Sequence, residues 1–321
     1  MVNYALRRLL AAIPVVLVAT FIMFWLVSSI NDPLAALRQS CPNCDESAYQ
    51  RLIDLYNLDQ PIPQRYFSWL GNALTGDFGV STSLGEQPVS SIFWERAGNS
   101  AMLSIPAALI TIVFSAILSM YSALKQYSAG DYAVTSFTYL GLAMPTFFFG
   151  LLLQVFWGVW FQDWTGLKPF WTGGLHTESV GELISSLVLP ITTLVIISLA
   201  ADTRFGRTAM LETKNADFIR TARAKGVPER TIVLKHMLRA ALIPMVTVWA
   251  ITFGTLIGGT LVTETVFSWP GLGRLLVFNG VFAADVNILM AVILFIGFIA
   301  VVFNLLADLL YGWLDPRVRY G

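Results

Sequence analysis

RTARAKGVPERTIVLKHMLRAALIP, from Arg220 to Pro244, is a basic stretch rich in helix formers. It holds no nucleophile–base pair and no cluster with metal-ligand spacing. The run before it, 184–203, and the run after it, 242–266, are each apolar and long enough to cross a hydrocarbon core, for which about 18 residues suffice. The stretch therefore reads as a charged helical loop between two membrane spans.

The rest of the chain agrees with that reading. Of its 321 residues 56% are hydrophobic and 12% charged, where a soluble domain carries about 25% charged residues. The chain reads as an all-α polytopic membrane protein with six spans, at 9–30, 100–124, 134–161, 184–203, 242–266 and 286–312. Between them lie 1–8, 31–99, 162–183, 204–241, 267–285 and 313–321, with 125–133 joining the second and third spans. The first five spans contain Pro14, Pro106, Pro145, Pro190 and Pro244. Membrane helices tolerate proline because neighbours re-satisfy the freed carbonyls. Arg7 and Arg8 ahead of an apolar run fit either a signal peptide or a retained first span. Leu9 to Ile30 is 22 residues, longer than the roughly 7–15 of a signal core, which favours the span.

Basic residues set the expected orientation. With the N-terminus inside, 14 of the 20 Lys and Arg fall on inside segments, and four of the other six lie in the long 31–99 loop. Both termini are then cytoplasmic. The 31–99 loop becomes a small extracytoplasmic insertion, with helical periodicity in ESAYQRLIDLY and QRYFSWLGNAL and a turn-rich LTGDFGVSTSLGEQP. In the second outside loop Trp164, Phe170 and Trp171 read as interfacial anchors or as part of a ligand site.

Several chemistries find no motif. The phosphate-cradling G-x-x-x-x-G-K-[ST] does not occur, nor do G-x-S-x-G and H-E-x-x-H. His176 and His236 fall on opposite sides. Cys41 and Cys44, in CPNC, are compatible with a short disulfide, two free thiols, or metal or redox chemistry, although the four ligands of a zinc site are lacking. No metal site is expected. Asp202, Glu264, Asn304 and Asp308 lie near span ends, where charge is cheapest. They read as caps and helix–helix hydrogen bonds, not as a proton relay.

Within the basic loop, helix is expected from Glu212 to Lys225, a stop at Gly226 and a restart at Pro228 with Glu229 in the first turn. Ala222, Ala224 and Gly226 make a low-relief tip that can slot into a groove on another protein. Arg220, Arg223 and Lys225 stand ready for an acidic rim. A loop resting on anionic lipid is the competing reading.

At this loop the sequence resembles the permease subunits of ATP-binding-cassette importers, in the dipeptide, oligopeptide and nickel branch. DFIRTARAKG, with Pro244 of ALIP 18 residues after Gly226, looks like that branch's coupling motif. YALRRLLAAIPVVLV, LYNLDQPIPQRYFSWLGNALTGDFGVS, ETVFSWPGLGRLL and NLLADLLYGWLDPRVRYG extend the resemblance over nearly the whole chain. Arg220 stands where the wider superfamily has Glu, and Asn31 where the branch has Gly. The resemblance implies six transmembrane helices of the importer permease type, of the longer type of permease. It implies a second homologous permease subunit, two cytoplasmic ATPase subunits and an extracytoplasmic substrate-binding protein as partners, with no nucleic acid. ATP and Mg²⁺ would belong to the ATPase subunits, with no cofactor in this chain. The location would be a bacterial-type inner membrane. A coupling helix over 217–227 would dock on an ATPase subunit through Asp217, Arg220, Thr221, Ala222, Arg223, Ala224, Lys225, Gly226 and Val227. The rival is an ATP-independent secondary transporter, which needs midplane ion-binding residues and often inverted repeats.

Overall fold

The computed structural model describes residues 2–30, 34 and 45–314. Among them it is all-helical apart from one isolated bridge, Val80 with Pro88. Five helical stretches are long and apolar enough to cross a membrane, and a bent helix pair makes a sixth candidate. Helix α1 is Val2–Ile30. Helices α2 (Glu46–Tyr56) and α3 (Ile62–Leu74) follow. The long helix α4 is Val89–Leu124.

After α4 come α5 (Ala129–Ala143) and α6 (Thr146–Val155), the latter running through a π turn, Phe156–Trp160, into α7 (Phe161–Thr165). Expected as one span over 134–161, this region is instead two helices meeting at 104°. Pro145 cannot donate a backbone hydrogen bond and drives the residue before it out of helical geometry. Met144 accordingly sits at ψ 127°. The other four span prolines lie inside continuous helices.

Helix α8 spans Val180–Lys214. The short α9 (Asp217–Ala224) and α10 (Glu229–Thr231) come next, then a π turn at Ile232–Met237 and α11 (Leu238–Gly259). Helices α12 (Leu261–Val266) and α13 (Leu272–Leu275) lead through a third π turn to α14 (Val286–Leu314).

The tightest pairing is α4 against α8. Lipid offers no hydrophobic drive to bring helices together, so close approach depends on small residues. On α4, Ser100, Ser104, Ala107, Ala108, Thr111, Ser115, Ser119 and Ser122 are all buried, at helical spacings of three and four. On α8, Gly206 faces Ser119 and Met245 so closely that a Cβ would collide with both. Ser119 Oγ donates to the Thr203 carbonyl across the seam at 3.0 Å. Large apolar residues of α1, α4 and α6, such as Val15, Leu109, Phe114 and Leu151, point outward, as lipid-facing surface does.

Two buried carboxylates organise the end that carries α2 and α3. Glu264, on α12, is fully buried. It accepts from Ser100 Oγ at 2.6 Å, from the backbone N–H groups of Gly273 at 2.7 Å and Arg274 at 3.1 Å, and from Thr260 Oγ1. Gly271 has no room for a side chain because that carboxylate fills the space. Trp269, fully buried beside it, donates from Nε1 to the Asn99 carbonyl at 2.9 Å. Asp285, also fully buried, accepts from Ser81 Oγ at 2.6 Å and the Ser83 N–H at 3.1 Å, while its other oxygen caps α14 at the Ile288 N–H. The turn-rich segment after α3 is thereby fastened to the start of the last span. Tyr66 of α3 reaches α1 through Thr20 Oγ1 at 2.8 Å.

In the 162–183 segment Trp164 is exposed, as an interfacial anchor would be. Phe170 packs edge-on against Trp157, and Trp171 stacks on His176 with centroids 3.9 Å apart. Those two hold the loop's own shape. Cys41 and Cys44 lie outside the described residues.

Glu264→Ala strands two hydroxyls and two backbone N–H groups in a dry site, each costing about 1–3 kcal/mol when unpaired. It is expected to destabilise the protein by at least about 3 kcal/mol, read as a lowered unfolding temperature in detergent. Asp285→Ala frees Ser83, and hydrogen–deuterium exchange should then speed up over residues 81–85 with little change in α8.

Candidate coupling segment

The expected site segment, 217–227, stands between the ends of α8 and α11. Helix was expected to continue from Glu212 to Lys225, but α8 stops at Lys214. Asn215 caps it, and Ala216 begins the next helix in extended geometry. Lys214 Nζ donates to the Ala123 carbonyl at 2.9 Å, which satisfies the C-terminus of α4 and fixes where α8 ends.

Helix α9 places Asp217 in its first turn and Arg223 in its last, each favourable to the helix dipole. Ile219 is the one residue of α9 that is fully buried. It enters a cluster with Ala123 of α4, Ala209 and Met210 of α8, Ile232 and Met237 of the π turn, and Ala241 and Met245 of α11. Ala222 and Val227 pack against the same cluster. Three apolar residues thus root α9 on the end of the α4–α8 seam.

The turn after α9 is closed by paired backbone bonds. The Gly226 N–H reaches the Arg223 carbonyl at 2.9 Å and the Val227 N–H the Ala222 carbonyl at 3.2 Å. This is a Schellman cap, with its usual apolar contact between the residue after the glycine and the helix. Gly226 sits at φ +74° with nothing near the position of a Cβ. Conformation, not space, requires glycine here. Pro228 then opens the next helix and accepts from the Thr231 N–H at 2.9 Å.

A bracket spans the turn. Arg223 donates from Nη2 to Glu229 Oε1 at 2.7 Å and from Nε to Oε2 at 3.1 Å, a two-point guanidinium–carboxylate pair. The hydrogen bond to Glu229 raises the Arg223 pKa further above its already high value, so the guanidinium stays charged. Arg220 and Asp217 face each other at 3.7 Å, both largely exposed, a geometry that contributes little. Lys225 is exposed and enters no ion pair among the described residues.

The outer face of the segment is therefore Asp217, Phe218, Arg220, Thr221, Ala224, Lys225 and Gly226, all exposed, with Ala222 and Val227 half-buried beneath. Expected to meet an acidic rim, Arg223 is instead committed to Glu229 within the chain. Two residues escaped the sequence reading. Phe218 is about half exposed next to the buried Ile219, an aromatic held at the tip by its neighbour. Glu229 was read as a first-turn acid and proves to be the other half of the bracket. The signal for it was its position three residues past the αL glycine.

Deeper in the spans, Asp202 accepts from Thr252 Oγ1 at 3.1 Å, tying α8 to α11. Gln154 donates to the carbonyls of Thr172 and Val266, tying α6 to α12 and the 162–183 segment. Among the described residues no group of His, Cys, Asp and Glu is arranged to hold a metal ion.

Residues 115–320 match the family described as binding-protein-dependent transport system inner membrane component, and residues 1–99 match the N-terminal region of such membrane components. The chain is 36% identical over 325 residues to the oligopeptide transport system permease protein AppB of Bacillus subtilis, covering both chains completely. It is 36% identical over 327 residues to the oligopeptide transport system permease protein OppB of Mycobacterium tuberculosis strain H37Rv, covering 99% of each. To the OppB of Haemophilus influenzae it is 32% identical over 323 residues, covering all of both. A solved structure of the MetNI methionine ABC transporter in an inward-facing conformation superposes with a TM-score of 0.57 at 16% identity, over 70% of this chain and 96% of that one. The last likeness speaks for the fold alone. The chain belongs to the binding-protein-dependent transport system inner membrane components, the permeases of ABC transporters.

Proposed function

We propose that this chain is one permease subunit of an ATP-driven importer of peptides, fed by an extracytoplasmic binding protein. Full-length relatives named as oligopeptide permeases support the substrate class. The partners are a second, homologous permease, two cytoplasmic ATPase subunits that hold ATP and Mg²⁺, and the binding protein. The chain itself carries no cofactor and hydrolyses nothing. Both termini and the 204–241 loop face the cytoplasm, in keeping with the distribution of Lys and Arg.

One observation carries the mechanical reading. The segment 217–227 is a short helix closed by a Schellman cap, bracketed by Arg223 and Glu229, and rooted through Ile219 in a cluster that joins α4, α8 and α11. Such a segment moves as a body and drags the inner ends of three spans with it. Asp217, Phe218, Arg220, Thr221, Ala224 and Lys225 present the contact surface for a groove on an ATPase subunit. When ATP closes the ATPase pair, the grooves shift and the spans rock between inward and outward access. The shift works only as far as the two states differ in contact energy. Cys41 and Cys44 staple the extracytoplasmic insertion as a short disulfide in this reading, compatible with an oxidising compartment.

Two variants test it. Proline holds φ near −65°, so Gly226→Pro cannot keep the turn at +74°. Backbone misfit of about 1–3 kcal/mol corresponds to a docking loss of about five- to a hundred-and-fiftyfold. Peptide uptake and ATPase co-purification should fall together while the protein still inserts. Arg223→Glu should impair uptake and the double variant Arg223→Glu with Glu229→Arg should recover it, because the bracket is internal. Failure of the swap to rescue would mean that Arg223 works on the ATPase directly. Normal uptake with Gly226→Pro would end the coupling assignment.

A further inference from the structure

Between α5 and α8, beside the root of the coupling segment, lies a cavity of about 120 Å³. That is several times the roughly 10–15 Å³ that one water needs. Its walls are Val134, Thr135, Thr138 and Tyr139 of α5 and Thr203, Arg204, Arg207 and Thr208 of α8. Eight residues thus contribute two guanidinium groups and five hydroxyls, and no lining residue is acidic.

The donors are unevenly occupied. Arg207 is spent in part: Nε and Nη2 grip Asp131, each at 2.9 Å, behind the cavity wall. Asp131 is further held by Ser122 and the Tyr127 N–H, so its charge is neutralised before it reaches the cavity. Arg204 lies over the Tyr139 ring at 5.2 Å and enters no ion pair among the described residues. Thr203 is 1% exposed, lines the cavity, and its hydroxyl has no hydrogen-bond partner among the described residues. A buried hydroxyl without a partner is costly and rare. Here it sits in a basic cavity wide enough for a guest.

Depth tells which guest. From Leu183 to Ala201 helix α8 carries no charge for 19 residues, about 28 Å of helix, which matches a hydrocarbon core of about 30 Å. Arg204 follows three residues later and Arg207 one turn beyond. Tyr139 lines the cavity, and Tyr127, Tyr132 and Tyr139 are exposed on α5 and just before it, as aromatics are at a membrane surface. The cavity opens at headgroup level, next to acyl chains.

We propose that this cavity binds the phosphate of an anionic phospholipid headgroup. Arg204 swings from the Tyr139 face to pair with a phosphate oxygen, the free side of Arg207 supports it, and the Thr203 hydroxyl donates from the floor. Guanidinium groups suit phosphate oxygens in both charge and geometry. Basic pockets between membrane helices take such headgroups. Because Arg207 lines the cavity and also donates to Ser122 of α4, an occupied site holds the inner ends of α5 and α8 together where the coupling segment is rooted.

The test uses the full chain purified in mild detergent with its co-purifying subunits, stripped of lipid and titrated with phosphatidylglycerol or phosphatidylcholine. Native mass spectrometry counts the bound lipid. Wild type should prefer phosphatidylglycerol. Arg204→Gln should weaken its retention about fivefold, the change carried by one basic charge near an anionic surface. Thr203→Val should weaken it too without lowering the unfolding temperature, because the hydroxyl it removes makes no bond in the empty site. Equal retention by wild type and both variants, or equal binding of the two lipids, overturns the proposal. Inorganic phosphate raising the unfolding temperature of wild type but not of Arg204→Gln, with no preference between lipids, overturns the lipid source and makes the guest a free phosphate.

Discussion

Close approach of α4 and α8 is the constraint on which the rest of the molecule depends. It rests on a row of Ser, Thr and Ala on one helix meeting Gly206 and Ala209 on the other. In lipid that contact cannot be driven by expelling water, so it depends on van der Waals fit and interhelical hydrogen bonds such as Ser119 to Thr203. The small residues also keep the two backbones near enough for side chains at the helix ends to cross over. Lys214 of α8 reaches a carbonyl of α4, and Arg207 of α8 reaches Ser122 of α4 and Asp131 of α5. Larger residues in the seam would spread the helices and break those crossings.

The two ends of the bundle solve the burial of charge differently. At the end with α2 and α3, Glu264 and Asp285 are fully buried with hydroxyls and backbone N–H groups as partners. Neutral donors from a rigid backbone fix a carboxylate firmly, and the carboxylate in turn fixes the backbone. Both residues sit where the chain turns into or out of a span. At the other end the pairs are ionic and less buried: Arg207 with Asp131, and Arg223 with Glu229. A partly wet ion pair exchanges partners more cheaply than a dry carboxylate cage. The rigid end suits a fixed cap, and the softer end is where movement would be received.

The span pattern was legible because a hydrocarbon slab imposes length and apolarity that no local feature hides. Amphipathic spacing gave ESAYQRLIDLY and QRYFSWLGNAL as helices, and the glycine at 226 gave the stop, since only αL geometry explains it there. The bend between α5 and α6 was not legible. Pro145 looks in sequence like Pro106 or Pro190, which stay inside straight helices. What differs is the tertiary setting, where Gly150 abuts Phe267 and Gln154 binds the carbonyls of Thr172 and Val266. Glu264 was read among residues making caps and helix–helix hydrogen bonds, and its bond from Ser100 of α4 is one; its full burial and the backbone donors from residues 273 and 274 were not visible to hydropathy. The break at Asn215–Ala216 was missed because both residues tolerate helix. The Arg223–Glu229 pair was missed because a six-residue separation lies outside the helical spacings usually scanned.

The internal pairing of Arg223 alters how the basic loop should be understood. A free arginine would confer attraction to an acidic partner at any orientation. An arginine locked to Glu229 across a Schellman turn removes net charge from the tip and adds stiffness instead. Among the described residues Lys225 at the tip enters no ion pair, and Phe218 is about half exposed. Because Phe218 precedes the buried Ile219, it cannot retract without lifting Ile219 from the cluster beneath. Force on the tip therefore passes through a single backbone step to the joint of α4, α8 and α11. Part of the charge pattern that first marked this loop thus contributes rigidity, because Arg223 is spent on Glu229 within the chain.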